Sequence, residues 1–264
     1  MSNEHREFLK KLKRREALTV SARLALFVVF LLLWEGLGRL GAFDPFIASS
    51  PVRVVRTVAS LYMRHDLFPH VLTTFAETVA GFVSGTAIGV AFAVLLWFFP
   101  FLQRVLDPYL VVLNALPKIA LGPILIVWVG AGPAAIIVMA LLVSTVVTSL
   151  SVLSGFNESG LELERLMRSL GASRVQTFIK AVLPASVPTI MSALKISVGM
   201  SWVGVIVGEY LVSKRGLGYL IVYGGQVFKL DLVMASTVVL CIMATLMYVL
   251  VATLEKIIIK YKTE

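Results

Sequence analysis

Six apolar stretches, each long enough to cross a bilayer as a helix, dominate this 264-residue sequence and restrict what it can fold into. A hydrocarbon core about 30 Å thick takes roughly 20 residues of helix. The stretches run from about Val20 to Gly38, Thr78 to Phe99, Leu106 to Val129, Pro133 to Leu153, Val187 to Leu211 and Leu232 to Leu254. The third and fourth need separating, because the 39 residues between Lys118 and Glu158 carry no charge. A single helix of that length would extend roughly 58 Å, too far for one crossing. Gly130-Ala131-Gly132-Pro133 favours a turn between them, inside the outer interface. With 58% hydrophobic and 15% charged residues, the chain lacks the polar surface to enclose a soluble core. A soluble enzyme, a disordered chain and a secreted disulfide scaffold are excluded on that ground. The single cysteine, Cys241, lies in an apolar run, so neither a disulfide framework nor a cysteine metal cluster is expected. The expected fold is an all-α polytopic membrane protein with six transmembrane helices.

Charge sets the expected orientation. The net charge of +9 reads as basic flanks of membrane spans rather than as a nucleic-acid surface. Seven Lys/Arg precede or open the first span: Arg6, Lys10, Lys11, Lys13, Arg14, Arg15 and Arg23. With that end cytoplasmic, the inner segments hold fifteen Lys/Arg and the outer segments seven. Both termini are therefore expected inside, as an even number of spans requires. The first apolar run is too long for a signal peptide, and the small residues Ala48-Ser49-Ser50 lie well beyond it, so it reads as a retained span. Between the first two spans, Pro51 to Arg64 reads as a short amphipathic helix at the interface.

Catalytic patterns are scarce. The three histidines, His5, His65 and His70, lie outside the expected spans, and the sequence has no HExxH and no Cys/His cluster. It also lacks a GxxxxGK[ST] loop, so nucleotide binding of the Walker kind is not expected of this chain. In the second span Gly81, Gly85, Gly89 and Ala93 recur every four residues, which lines one helix face with small residues and lets another helix approach closely. That face is expected to pack, within one bundle or between two copies. Asn114, Pro117, Lys118, Gly122 and Pro123 interrupt the third span near mid-depth. Broken helices at that depth are tolerated where they face protein or a wet cavity. A lone lysine there costs at least about 3 kcal/mol. Lys118 thus either lines a pathway, with Asn114 and the deep acid Glu209 as further candidates, or is neutralised by Glu77 or Glu209. Lys195, nearer the inner end of the fifth span, is expected to snorkel.

The inner segment 155–186 has a pattern of its own. Leu163, Leu166, Met167 and Leu170 fall at i, i+3, i+4 and i+7, with Glu162, Glu164, Arg165 and Arg168 on the other faces. This describes a short amphipathic helix stopping at Gly171. A second helical piece is expected from about Ser173 to Val182, closed by Leu183-Pro184. The apolar stripe could lie on the inner leaflet or fill a groove on a partner.

This segment resembles the cytoplasmic loop of binding-protein-dependent ABC importer permeases. Their signature is Glu-Ala-Ala, three residues, Gly, nine residues, then Ile-x-Leu-Pro. Here Gly171 is followed by Leu183-Pro184 at the expected spacing, whereas Arg165, Leu166 and Met167 occupy the Glu-Ala-Ala positions, Glu164 stands one residue early, and Ala181 replaces the Ile. Leu116-Pro117, Ala120, Pro123 and Val127-Trp128-Val129-Gly130 are similar to the third span of the nitrate, sulfonate and taurine subfamily. So are Asn157, Gly171-Ala172, Leu183-Pro184-Ala185 and Pro188, and Glu209 followed by Gly216-Leu217-Gly218-Tyr219. His70, Thr74 and Gly81-Phe82 fit the start of its second span, with Glu77 where that subfamily usually carries Arg.

The resemblance spans about residues 45–255 and implies the type I importer fold. It implies one transmembrane permease domain over 20–264, preceded by a basic cytoplasmic segment, 1–19, in a bacterial cytoplasmic membrane. A coupling loop at about 155–184 would present Leu163, Glu164, Arg165, Leu166, Met167, Leu170, Gly171 and Ala172 to an ABC ATPase dimer. The other implied partners are a second permease copy, an extracytoplasmic substrate-binding protein and lipid, with no nucleic acid. ATP and Mg would sit on the ATPase, leaving this chain without a cofactor or a reaction of its own. A small anion or zwitterion, such as a sulfonate, taurine, nitrate or bicarbonate, would be the cargo. An ATP-independent secondary transporter or channel is the alternative, but no inverted repeat is evident and the amphipathic inner segment would be left without a role.

Overall fold

The computed structural model describes residues 3–42 and 44–263, with side chains described for 14–15, 17–42, 44, 46–158 and 163–259. All regular structure among them is helical: α1 (Asn3–Arg39), α2 (Pro45–Ala48), α3 (Pro51–Met63), α4 (Leu67–Phe98), α5 (Pro100–Ala115), a 3-10 turn (Lys118–Leu121), α6 (Gly122–Val129), α7 (Pro133–Ser169), α8 (Arg174–Thr177), a wide π turn (Phe178–Val182), α9 (Leu183–Val212), α10 (Leu217–Gln226) and α11 (Leu230–Thr263). Five helical stretches are long and apolar enough to cross a membrane, and α5 with the 118–129 segment makes a sixth that is bent by 85°. The side chains of Arg6, Lys10, Lys11 and Lys13, on which part of the orientation argument rests, lie outside the described residues.

Local chemistry accounts for the breaks. Leu116 is extended, with φ −64° and ψ 131°, because the ring of the following proline disfavours helical geometry. Pro123 sits in the first turn of α6, where a missing N–H costs nothing. Gly130 (φ 93°) and Gly132 (φ 154°) form the turn into α7 in conformations that only glycine adopts without strain.

Three boundaries differ from the sequence expectation. The second span begins eleven residues before Thr78, at Leu67, so its first turns carry His70, Thr74 and Glu77. The amphipathic segment around 163–170 is not a separate helix: α7 runs unbroken from Pro133 to Ser169. No proline follows Pro133 in that stretch, and isolated glycines such as Gly155 are tolerated in a helix packed by its neighbours. Pro184 likewise does not close the second piece. The chain widens to a π turn at Phe178–Val182, ahead of the proline's missing N–H, and continues as α9.

The core is a three-helix sandwich of α4, α7 and α9. A Cβ on Gly81 would lie 2.6 Å from Ala140 Cβ, one on Gly89 would lie 2.8 Å from Thr148 Cβ, and one on Gly85 would overlap Ser144 Oγ. The four-residue glycine stripe of α4 therefore faces a four-residue stripe of α7, and the close packing lies within one chain. On its other side α7 meets α9, where Gly204 approaches Ala140 and Gly208 approaches Ile136. Hydroxyls stitch the interior: Thr148 donates to Ser197 Oγ at 3.0 Å. Around this core, α11 is tied to α9 by Lys195–Glu255 at 2.7 Å and to α3 by Arg53–Asp231 at 2.8 Å. Lys195 thus has a carboxylate partner and does not snorkel alone. Among the described side chains of α1, the apolar ones from Ala17 to Leu37 are exposed in the isolated chain except Leu31 and Trp34, which are half-buried.

Candidate functional site

Two regions concentrate polar and unusual geometry, one at each end of the sandwich. At the end expected from the sequence to lie inside, α7 and α9 form a hairpin. Glu164 pairs with Arg168 at 2.5 Å along the last turns of α7. The helix stops at Gly171, whose φ of 75° suits a glycine C-terminal cap. The Gly171 and Ala172 N–H groups return to the carbonyls of Arg168 and Met167 at 2.9 and 3.0 Å. Ser173 then opens α8 with a reciprocal cap: its Oγ accepts from Gln176 N–H, and Gln176 Oε1 accepts from Ser173 N–H at 2.8 Å.

Leu163 and Met167 are half-buried, while Leu166 is 56% and Leu170 74% exposed. Arg165 and Gly171 are exposed and Ala172 is half-buried. The hairpin is anchored rather than loose. Phe178 packs among Trp97, Phe98 and Phe156 with ring centroids 4.9 to 5.3 Å apart. Arg174 donates to the Trp97 carbonyl at 2.8 Å and lies 5.3 Å over the Trp97 ring. Sequence reasoning missed Arg174. Its signal was the aromatic run Trp97-Phe98-Phe99 at the C-terminal end of the second span, since aromatic residues gather at membrane interfaces.

At the opposite end, three consecutive N–H groups open α10, and each is met by a side chain from another helix. Gly216 N–H donates to His70 Nδ1 at 2.9 Å, Leu217 N–H to Thr74 Oγ1 at 2.7 Å, and Gly218 N–H to Glu209 Oε2 at 2.6 Å. The ring of His70 stacks on Tyr219. A Cβ on Gly216 or Gly218 would collide with the Glu209 carboxyl, which explains the glycines around Leu217. Glu209, 1% exposed, therefore caps a helix N-terminus, where negative charge is favoured.

Its neighbour is not Lys118 but Glu77, whose carboxyl is in hydrogen-bond contact with it. Lys118 instead donates to its own helix's Asn114 carbonyl at 3.2 Å, so neutralisation of Lys118 by Glu77 or Glu209 does not occur in this chain. Lys118 is half-buried and Asn114 exposed, on the bent third span. No group of three or more metal-ligating side chains occurs among the described residues.

Comparison with known proteins agrees with this architecture. Residues 85–261, about two thirds of the chain, match the family described as binding-protein-dependent transport system inner membrane component. The putative aliphatic sulfonates transport permease protein SsuC of Bacillus subtilis is 27% identical over 239 residues, 90% of this chain and 87% of that protein. The taurine transport system permease protein TauC of Escherichia coli is 24% identical over 245 residues, 90% and 89% of the two chains. Among solved structures, a chain of the MetNI methionine ABC transporter in inward-facing conformations superposes with a TM-score of 0.65. It is 22% identical and covers 74% of this chain and 96% of that one, a likeness of fold. The chain is a multi-pass membrane protein with the type I importer fold, and it belongs to the binding-protein-dependent ABC importer permeases.

Proposed function

We propose that this chain forms the substrate pathway of an ATP-driven importer and transmits movement from ATPase subunits docked on its inner hairpin. The observation that carries this reading is the hairpin's form: an apolar stripe, open at Leu166 and Leu170, on the end of a helix whose outer half is the middle layer of the core. Residues 163–172 fill a groove on the ATPase, and the continuous α7 passes the displacement into the span. Arg174 and the Phe178 cluster keep the hairpin from bending independently of α4. ATP and Mg belong to the ATPase dimer, and this chain carries out no bond chemistry.

A second permease copy completes the pathway. At the bend of the third span Asn114 is exposed and Lys118 only half-buried by their own chain, and polar groups at that depth require protein or water rather than lipid. An extracytoplasmic binding protein delivers a small anionic or zwitterionic cargo of the sulfonate, taurine, nitrate or bicarbonate kind. The relatives' named substrates support the first two, and the lysine supports negative charge. Both termini are cytoplasmic, in the inner membrane. Leu166→Asp tests the docking surface. It is expected to abolish co-purification of the ATPase while the permease remains in the membrane, and undiminished co-purification would overturn the assignment.

A further inference from the structure

Where the apolar span of α1 ends, its last turn and the start of α3 enclose a cavity of about 250 Å³ bordered by three arginines, Arg39, Arg53 and Arg56. Two carboxylates stand against them, and both are already engaged. Glu35 accepts Arg39 Nε at 2.8 Å through Oε1 and the Val52 N–H at 3.3 Å through Oε2. Asp231 accepts the Ser49 hydroxyl at 2.7 Å through Oδ1, and Arg53 Nε and Nη2 at 3.0 and 2.8 Å through Oδ2. Arg56 is exposed and pairs with no carboxylate among the described residues. Arg39 engages only its Nε, so its two terminal nitrogens also find no partner among them. One positive charge is left uncompensated, and two guanidinium groups with unused N–H donors border the same cavity.

The depth of the cavity narrows the choice of anion. The span of α1 covers 17–39, so Arg39 stands where hydrocarbon gives way to headgroups. Beside it α3 is two-faced, with Arg53 and Arg56 on one side and Val55, Val58 and Tyr62 on the other. With Val238 and Ile242 of α11, those three border an apolar groove of about 420 Å³. Val55, Tyr62 and Ile242 are exposed there, as suits contact with hydrocarbon. The helix thus lies along the interface, its arginines at the level of lipid phosphates.

We propose that the cavity between α1 and α3 holds the phosphate of an anionic phospholipid, and that this lipid fastens α1 to the rest of the chain. A guanidinium group meets phosphate oxygens with two parallel donors. A free phosphate offers the same oxygens but has no acyl chains to keep it at this depth. A zwitterionic lipid brings its own ammonium group, which offsets the attraction of the one uncompensated charge. The fastening has a purpose, because within this chain α1 touches chiefly α2 and α3 and leaves most of its apolar side chains exposed.

The test uses the full chain in nanodiscs of phosphatidylcholine, alone or with a rising fraction of phosphatidylglycerol, and follows thermal unfolding. The wild type is expected to gain several degrees of Tm with phosphatidylglycerol, and nothing from inorganic phosphate added to phosphatidylcholine discs. Arg56→Gln breaks no ion pair found among the described residues, so its Tm in phosphatidylcholine alone should match the wild type. The phosphatidylglycerol fraction it needs for half the gain should rise about fivefold. Arg39→Gln with Arg56→Gln should abolish the gain. Lys10→Gln with Lys11→Gln, in the basic first segment, should keep it, which separates this cavity from the general attraction of basic residues to an anionic surface. No gain in the wild type, an equal gain with inorganic phosphate, a gain that survives the double arginine substitution, or an equal loss in the lysine variant would each overturn the site. ATPase docking and uptake do not enter this readout, so its failure leaves the importer reading standing.

Discussion

Lys118 shows how one residue's surroundings divide two roles. Among the described residues its amino group finds only a backbone carbonyl, that of Asn114. A cation at that depth without a carboxylate would cost about 3 kcal/mol against lipid, so water or cargo must offset it. Lys118→Met keeps the length and removes the charge. It is expected to preserve assembly and ATPase activity and to lower uptake of an anionic cargo by about tenfold or more. Unchanged uptake would remove Lys118 from the pathway. The stripe Gly81, Gly85 and Gly89 was legible in the sequence because a four-residue spacing places residues on one helix face whatever lies opposite. The neighbours of Lys118 and Glu209 were not. The sequence offered Glu77 and Glu209 as partners for the lysine, and helix rotation paired the acids with each other instead.

Among the elements, the α7–α9 hairpin bears most directly on the proposed coupling. The amphipathic stripe was readable from its 3–4 periodicity, but its continuity with the fourth span was not. Periodicity reports which face is apolar and says little about whether a helix pauses at a glycine. Continuity matters for coupling, since an unbroken helix transmits a push that a hinged loop would absorb. The hold on α4 should matter equally. Arg174→Met removes the cation over Trp97 and the bond to its carbonyl while keeping an apolar stem. For a residue this exposed, a stability loss of about 1 kcal/mol is expected. If the anchor serves coupling, ATPase subunits should still co-purify, and substrate-stimulated ATP hydrolysis should fall more than binding does. Equal stimulation in variant and wild type would leave Arg174 a purely structural contact.

At the scale of the whole molecule, orientation is the property to test. With Cys241 replaced by serine, cysteines placed singly at Ser60 in α3 and Ser169 at the end of α7 should label from opposite sides. An impermeant maleimide added to intact cells should reach Ser60→Cys and miss Ser169→Cys until the membrane is opened. Labelling of Ser169→Cys from outside would invert the topology.

The sequence by itself determined the class of fold, the approximate spans and the turn at 130–133. Burial of apolar residues in lipid accumulates residue by residue along the chain, and proline and glycine act on their immediate backbone. Only the tertiary structure decided that α4, α7 and α9 form the sandwich, that Arg174 reaches Trp97 across 77 residues of sequence, and that Glu77 and Glu209 meet at the end opposite the hairpin. Those contacts depend on the rotation and crossing of helices about one another. Many packed side chains set these together, and no single segment encodes them.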